Sequence, residues 1–354
     1  MLRLKRVVSF VVALGLILST TVCAYAADAP ATWATSMCVM DADSGRILYK
    51  NNETEERCIA SITKIMTGIL VIENNKDLYQ TITVSATAAA EEGSSLYLAE
   101  GDKLSLRTAL YGTMLRSGND AAVAIAEFTA GDVKSFVKMM NQKAKELGMT
   151  HTHYSWPNGL IDEDNYSCAR DMAILGRYAM QNKTFAEIVN TWYIETDDGY
   201  QIANHNKMLS RDKRCIGIKT GFTSAAGRTL VTCFKDADSD RKVIIVTLND
   251  SNDYNDHLNM CDWAFENYQQ KKLVAKKAAV ATVTNDGKQA SLVTENAVTW
   301  PAASGESSKI TSSLKVQSNR GVPMKEGDVG GVLTFYSDGK TIGSTKLLYE
   351  KSVR

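Results

Sequence analysis

Ser61-Ile62-Thr63-Lys64 sets a hydroxyl and an amine three residues apart. On a helix, positions i and i+3 share a face, so Ser61 Oγ and Lys64 Nζ can meet. A serine hydroxyl is a weak nucleophile until a neighbouring base takes its proton. A lysine is such a base once its surroundings keep it neutral. The first turn of a helix also offers free backbone N–H groups to a developing negative charge. The pattern alone carries little weight, because Ser135…Lys138, Ser210…Lys213 and Ser312…Lys315 repeat it. Two further runs follow Ser61 in order. Ser117-Gly118-Asn119 supplies a second hydroxyl, able to relay a proton, and an amide, able to hold Lys64 or a substrate carbonyl. Taken alone, this triplet also serves as a plain helix cap, with Ser117, Asn119 or Asp120 as the capping residue. Lys219-Thr220-Gly221 occurs once. A lysine beside a threonine hydroxyl suits a terminal carboxylate, and glycine lets backbone approach a ligand closely. The N–H of Phe222, with that of Ser61, would complete a pair of donors for an oxyanion.

The elements that would position these groups are legible. Ser36 to Met40 and Arg46 to Tyr49 alternate as two strands around a turn containing Asp43-Ser44-Gly45. Ile62, Ile65, Met66, Ile69 and Leu70 fall at helical spacing behind Ser61. Helices are predicted over 105–115, 121–128 and 169–180. Another follows Asp132 as its cap and ends at Gly148. The β-type runs 216–220, 229–234 and 243–248 predict an antiparallel sheet. Residues 256–268 return to helix, with Asp256 as the expected cap. Beyond Lys271 the chain turns rich in Val, Thr, Ser and Gly. Asn285-Asp286-Gly287 and Asp338-Gly339 mark hairpins there. The expected fold class is α+β: a helical cluster on an antiparallel sheet, then a small all-β domain. The expected limits are a leader over 1–26, a catalytic domain over 27–271 and a β-rich domain over 272–354.

The ordered set Ser-x-x-Lys, Ser-x-Asn and Lys-Thr-Gly resembles the signature of penicillin-binding proteins and class A β-lactamases. Ala60 to Thr67 and Leu115 to Ala122 resemble the form these motifs take in the D-alanyl-D-alanine carboxypeptidases, the low-molecular-weight penicillin-binding proteins. Asn158-Gly159-Leu160, the stretch 217–223 and Ala226-Gly227 are similar to the same family, and Gly327-Asp328 resembles its C-terminal β domain. The likeness covers nearly all of the chain past the leader. It implies a β-lactamase/transpeptidase-like domain and cleavage of a terminal D-Ala from peptidoglycan stem peptides. Ser61 would be the nucleophile, Lys64 its base and Ser117 the proton relay, with Asn119, Lys219, Thr220, Gly221 and Phe222 binding substrate. β-lactams would be covalent inhibitors, and no cofactor or metal is required. One departure concerns the family's Asn-Arg-Asn run, which here reads Asn204-His205-Asn206. His205 can take over carboxylate binding only as a cation or a neutral donor. Lys219 and Thr220 would then carry more of it, with Arg228 a weaker candidate. The family's C-terminal amphipathic membrane helix has no counterpart in 347–354, so membrane association is not expected from this segment.

Two rivals stay open. A class A β-lactamase needs a Glu ahead of Leu-Asn in the loop after the second motif, and Glu163 lacks that context. A β-lactam sensor or wall-binding protein would acylate without turnover. Composition narrows the rest. The chain has 354 residues, 44% hydrophobic and 23% charged, with 40 basic and 40 acidic side chains, so no basic surplus points to nucleic acid. Arg3, Lys5 and Arg6, the apolar run 7–18 and Ala24-Tyr25-Ala26 predict a secretory signal cut after Ala26. The protein is therefore expected outside the cytoplasm, at the cell wall or the outer face of the cytoplasmic membrane. Six cysteines past the leader are expected to be mostly buried thiols. His151-Thr152-His153 is expected in a surface loop. Trp192 and Tyr193 are expected in the core or a cleft wall.

Overall fold

The computed structural model describes residues 28–160, 164–285, 288–303, 306–317 and 324–352. The leader, Glu163 and the Asp286-Gly287 turn lie outside them. A five-stranded antiparallel sheet forms the centre. Its order is Ile47–Asn51, Ser36–Asp41, Lys242–Leu248, Gly227–Lys235, Cys215–Thr223. Ser36–Asp41 is buried at every position, because both sheet faces are covered. Side chains alternate between two apolar layers, as the two-residue period of a strand dictates. Cys38, Met40, Ile244 and Val246 join the layer under the helices Lys64–Asn74 and Ala169–Ala179. Met37, Val39, Val243 and Ile245 join the opposite layer, under helix Asp253–Asn267.

Local chemistry sets the helix ends. Asp132 accepts from Ser135 N at 2.7 Å and starts Val133–Glu146. Asn182 accepts from Phe185 N at 3.1 Å and starts Lys183–Asn190, a short helix that hydrophobic spacing did not reveal. The last helix begins at Asp253, three residues before the expected start, with Asn252 at the cap position. Asp256 is not its cap. Its carboxylate accepts instead from Trp33 N at 2.6 Å and Asn252 Nδ2 at 3.0 Å, which ties the incoming chain to this helix.

Helix Asp253–Asn267 runs directly into strand Tyr268–Val274, which spans the expected domain limit at 271 and pairs with Val298–Ala303. A second five-stranded antiparallel sheet follows, ordered Ala279–Asn285, Lys288–Thr294, Lys340–Tyr349, Val329–Ser337, Ile310–Val316. Leu292, Leu333, Phe335, Leu347 and Tyr349 form its core. Asp338 and Gly339, with φ of 48° and 74°, make the tight turn expected between its two longest strands. The fold is thus the expected α+β domain followed by an all-β module.

All six described cysteines are free, and only Cys58 is not buried. His151 Nδ1 lies 3.2 Å from Glu56 Oε1, and His153 Nδ1 lies 2.7 Å from the Asp164 carbonyl. Trp192 and Tyr193 are not core residues. Trp192 precedes and Tyr193 opens the short hairpin Tyr193–Glu195/Gln201–Ala203; neither lines the cleft that holds Ser61, and both are about half exposed, because a two-stranded ribbon has little to bury them against.

Candidate active site

Ser61 sits in a single 3-10 turn, Ala60–Thr63, that leads into helix Lys64–Asn74. Two glycines let neighbouring backbone press on this turn. A Cβ on Gly159 would lie 2.0 Å from the Ala60 carbonyl oxygen and 2.6 Å from Thr63 Oγ1. A Cβ on Gly221 would lie 2.4 Å from Thr229 Oγ1 and 3.0 Å from Ser61 N. Thr229 Oγ1 in turn donates to the Ile59 carbonyl at 3.0 Å. The edge strand therefore touches the nucleophile turn backbone to backbone, which is why Lys-Thr must be followed by Gly.

Lys64 Nζ makes three polar contacts: Ser61 Oγ at 3.0 Å, Asn119 Oδ1 at 2.7 Å and the Asn158 carbonyl at 2.6 Å. The side chain has no exposure to solvent. Burial, and then the charge of Lys219, hold its proton affinity well below that of an ordinary lysine. A neutral amine has two N–H bonds and one lone pair. The two carbonyl oxygens can only accept, so they take the two N–H bonds. The lone pair is left for the hydroxyl of Ser61, the geometry of a general base.

The second motif lies on one side of Lys64. Ser117 takes a left-handed backbone, φ 64° and ψ 28°, after the wide turn Gly112–Arg116. Its Oγ is buried and has no hydrogen-bond partner among the described residues. Asn119 opens helix Asn119–Ala130. Its Nδ2 donates to the Glu92 carbonyl at 2.5 Å, which turns Oδ1 toward Lys64. Asp120 clasps the preceding loop, accepting from Ser95 Oγ at 2.6 Å and from Leu96 N and Leu98 N at 3.0 Å. Gly118, not Ser117 or Asn119, occupies the cap position of this helix, so the triplet is not a plain cap.

The third motif is the outer edge of the sheet, Cys215–Thr223. Lys219 is 1% exposed, and its Nζ donates to the Thr220 carbonyl at 3.0 Å. Burial lowers its pKa to about 7. Thr220, Gly221 and Phe222 line a cleft of about 380 Å³ together with Ser61 and Ser117. Phe222 is 67% exposed at its mouth. His205 also lines the cleft, anchored by its backbone N–H on the Leu115 carbonyl at 2.9 Å. Burial, with help from Lys219, Arg116 and Lys207, makes its ring harder to protonate. Every expected site residue thus lines the cleft or contacts a group that does.

Arg228 lines the cleft more firmly than expected. Its Nε and Nη2 donate to the two carboxylate oxygens of Asp253 at 3.1 and 2.7 Å, and its guanidinium lies 5.5 Å from the Tyr254 ring centroid. Asp253 and Tyr254 went unread in the sequence, since a partner 25 residues away leaves no local pattern. The hydrogen-bonded carboxylate of Glu91 was missed for the same reason. It accepts from Trp156 Nε1 at 2.9 Å and Asn158 Nδ2 at 2.6 Å.

A family model described as D-alanyl-D-alanine carboxypeptidase matches residues 23–252. A second, described as penicillin-binding protein 5, C-terminal domain, matches residues 268–354. The D-alanyl-D-alanine carboxypeptidase DacF of Bacillus subtilis is 30% identical over 334 residues, covering 91% of this chain and 86% of its own. DacC of Escherichia coli is 30% identical over 345 residues, covering 92% and 86%. The solved structure of penicillin binding protein 5 from Haemophilus influenzae superposes with a TM-score of 0.76 at 26% identity, covering 92% of this chain and 98% of that one. Three motifs contributing to one cleft, and likeness across both domains, lead to one conclusion: the chain belongs to the D-alanyl-D-alanine carboxypeptidase family of serine peptidases.

Proposed function

We propose that this protein removes the terminal D-Ala from peptidoglycan stem pentapeptides through an acyl-enzyme on Ser61. The observation that carries the reading is Lys64 Nζ, which is buried, held by two obligate acceptors and 3.0 Å from Ser61 Oγ. Lys64 takes the hydroxyl proton as Ser61 Oγ attacks the penultimate D-Ala carbonyl. The oxyanion rests on the N–H groups of Ser61 and Phe222. The peptide C–N bond breaks, and the proton passes from Lys64 through Ser117 to the departing amine. Water then attacks the ester carbonyl as Lys64 takes one of its protons; the C–Oγ bond breaks, Lys64 returns that proton to Ser61 Oγ, and the shortened peptide leaves as an acid that ionises in solvent.

Asn119 holds Lys64 and the substrate amide. Lys219 and Thr220 take the carboxylate of the leaving D-Ala, with Arg228 beside them and His205 as a neutral donor. Gly221 lets the substrate backbone lie along the edge strand. β-lactams present a similar carbonyl and carboxylate and would stall at the ester. The parts of the chain are a leader over 1–26, a catalytic domain over 27–271 and a β-rich domain over 272–354. The site of action is outside the cytoplasm, at the cell wall or the outer face of the cytoplasmic membrane. Among the described residues no helix is long and apolar enough to cross a membrane.

The test is release of D-Ala from diacetyl-Lys-D-Ala-D-Ala by the purified protein, with Ser61→Ala alongside. Release by the parent alone supports the reading. A folded parent that takes labelled penicillin at Ser61 yet releases no D-Ala would be a sensor instead.

A further inference from the structure

Lys64 depends on Asn119 Oδ1 and the Asn158 carbonyl for its orientation. Both asparagines are themselves held by two consecutive residues of one loop. The Glu92 carbonyl accepts from Asn119 Nδ2 at 2.5 Å, and Glu91 Oε2 accepts from Asn158 Nδ2 at 2.6 Å. The loop is fixed in place. Trp156 Nε1 donates to Glu91 Oε1 at 2.9 Å, the Ser94 carbonyl accepts from Asn119 N at 2.7 Å, and Asp120 clasps Ser95, Leu96 and Leu98. Of these fasteners, the Glu91 carboxylate is the one that puts a negative charge beside the Asn158 arm. We infer that Glu91 is a positioning residue for Lys64, fixing Asn158 so that its carbonyl engages the Lys64 amine and leaves the amine lone pair to Ser61.

The carboxylate also acts through space. Four influences set the proton affinity of Lys64. Burial and Lys219 lower it, while Glu91 and Asp120 raise it. Asp120 is spent on the loop backbone, so Glu91 is the counterweight that substitution can remove while the clasp stays intact. Loss of its charge leaves Lys64 neutral down to a lower pH. A merely structural carboxylate would not move that limb.

The inference rests on Lys64 being the base for Ser61, and the experiment separates the two. The rate of Ser61 acylation by a labelled penicillin is followed against pH in the parent, Glu91→Gln and Glu91→Asp, with Ser61→Ala as blank. Glu91→Gln keeps the size but places a donor against the Asn158 or Trp156 donor. Its plateau rate is expected to fall about tenfold, the scale of one charge-assisted hydrogen bond. The rising limb of its profile moves to lower pH. Glu91→Asp keeps the charge but withdraws the carboxylate from Asn158, so its plateau falls while the limb stays near that of the parent. A Glu91→Gln limb coincident with the parent's overturns the inference. If Glu91→Gln melts below the assay temperature, Glu91→Asp decides, and a parent-like plateau overturns it. A parent that takes no label overturns the assignment of base and nucleophile, and this inference with it.

Discussion

Lys219 stands near enough to Lys64 for its charge to depress the proton affinity of Lys64, and neither side chain is more than 1% exposed. Two buried ammonium groups in one site repel each other, so the arrangement favours one neutral lysine and one charged. Hydrogen bonding divides the roles. Lys64 faces two carbonyl acceptors and the nucleophile, whereas Lys219 has a single carbonyl, that of the cleft residue Thr220.

The division predicts a bell-shaped dependence of kcat/KM on pH, a quantity that reports the free enzyme. The rising limb is loss of the Lys64 proton. The falling limb is loss of the Lys219 proton, centred at about 7. Lys219→Arg, which keeps its charge, should flatten the falling limb even if overall activity drops. D-Ala release measured across pH checks this. A parent profile that stays level well above neutrality would contradict the role given to Lys219.

Removing the base has a larger effect. Lys64→Ala should slow acylation by roughly 100- to 10,000-fold, the range for a lost general base. Lys64→Arg should not recover it, because a guanidinium does not give up its proton at working pH. Stopped-flow acylation with a chromogenic β-lactam reads both rates.

Gly221→Ala tests the backbone contact between edge strand and nucleophile turn. Its Cβ would fall 2.4 Å from Thr229 Oγ1 and 3.0 Å from Ser61 N, so strand and turn must part. A displacement of a few tenths of an ångström at an oxyanion donor is expected to cost about 100-fold in kcat. Stability should fall by only about 1–3 kcal/mol, an overpacking effect. Activity and thermal melting on one sample separate the two. Melting that falls while kcat holds would contradict the prediction.

How much of this could be read beforehand follows from where each signal lives. Ser61 and Lys64 were legible because a helix carries their partnership in four consecutive residues. The sheet was legible because Lys242–Leu248 and Gly227–Lys235 are continuous β-type runs. Asp253 was not, since its task is to hold Arg228 across a fold that local spacing does not encode. Asp256 misled as a cap because aspartate at a helix start looks the same whether it binds its own helix or, as here, Trp33 N. Trp192 and Tyr193 misled because bulk and apolarity say nothing of whether a hairpin has anything to pack against.

Arg228 offers the cleft a cation that does not titrate near neutrality, unlike Lys219. Asp253 holds it through two hydrogen bonds and raises its pKa further. Arg228→Gln should therefore raise KM about tenfold with kcat little changed, the pattern of lost ground-state binding. Its KM should also rise above neutral pH, where Lys219 loses its charge, while that of the parent rises less. A KM equal to the parent's at every pH would remove Arg228 from substrate binding.

Arg46 joins the two domains. It lies in the turn before Ile47–Asn51 of the catalytic sheet. Its Nη1 donates to the Pro301 carbonyl at 2.5 Å and to Glu306 Oε2 at 2.8 Å. Its guanidinium lies over Trp300 at 4.7 Å and Tyr268 at 5.2 Å. Tyr268 is itself tied to the catalytic domain, its hydroxyl on the Leu48 carbonyl at 3.1 Å and its own carbonyl on Arg241 Nη1 at 2.5 Å. One planar cation thus bridges both domains. Stacking on two rings and partly buried hydrogen bonds contribute about 1–3 kcal/mol together. None of these atoms touches the cleft. Arg46→Ala should leave release of D-Ala from a short soluble peptide unchanged and lower the melting temperature. It should also broaden the interdomain distance distribution in solution scattering. If the scattering profile is unchanged while the melting point falls, Arg46 stabilises its own turn and does not set the angle between the domains.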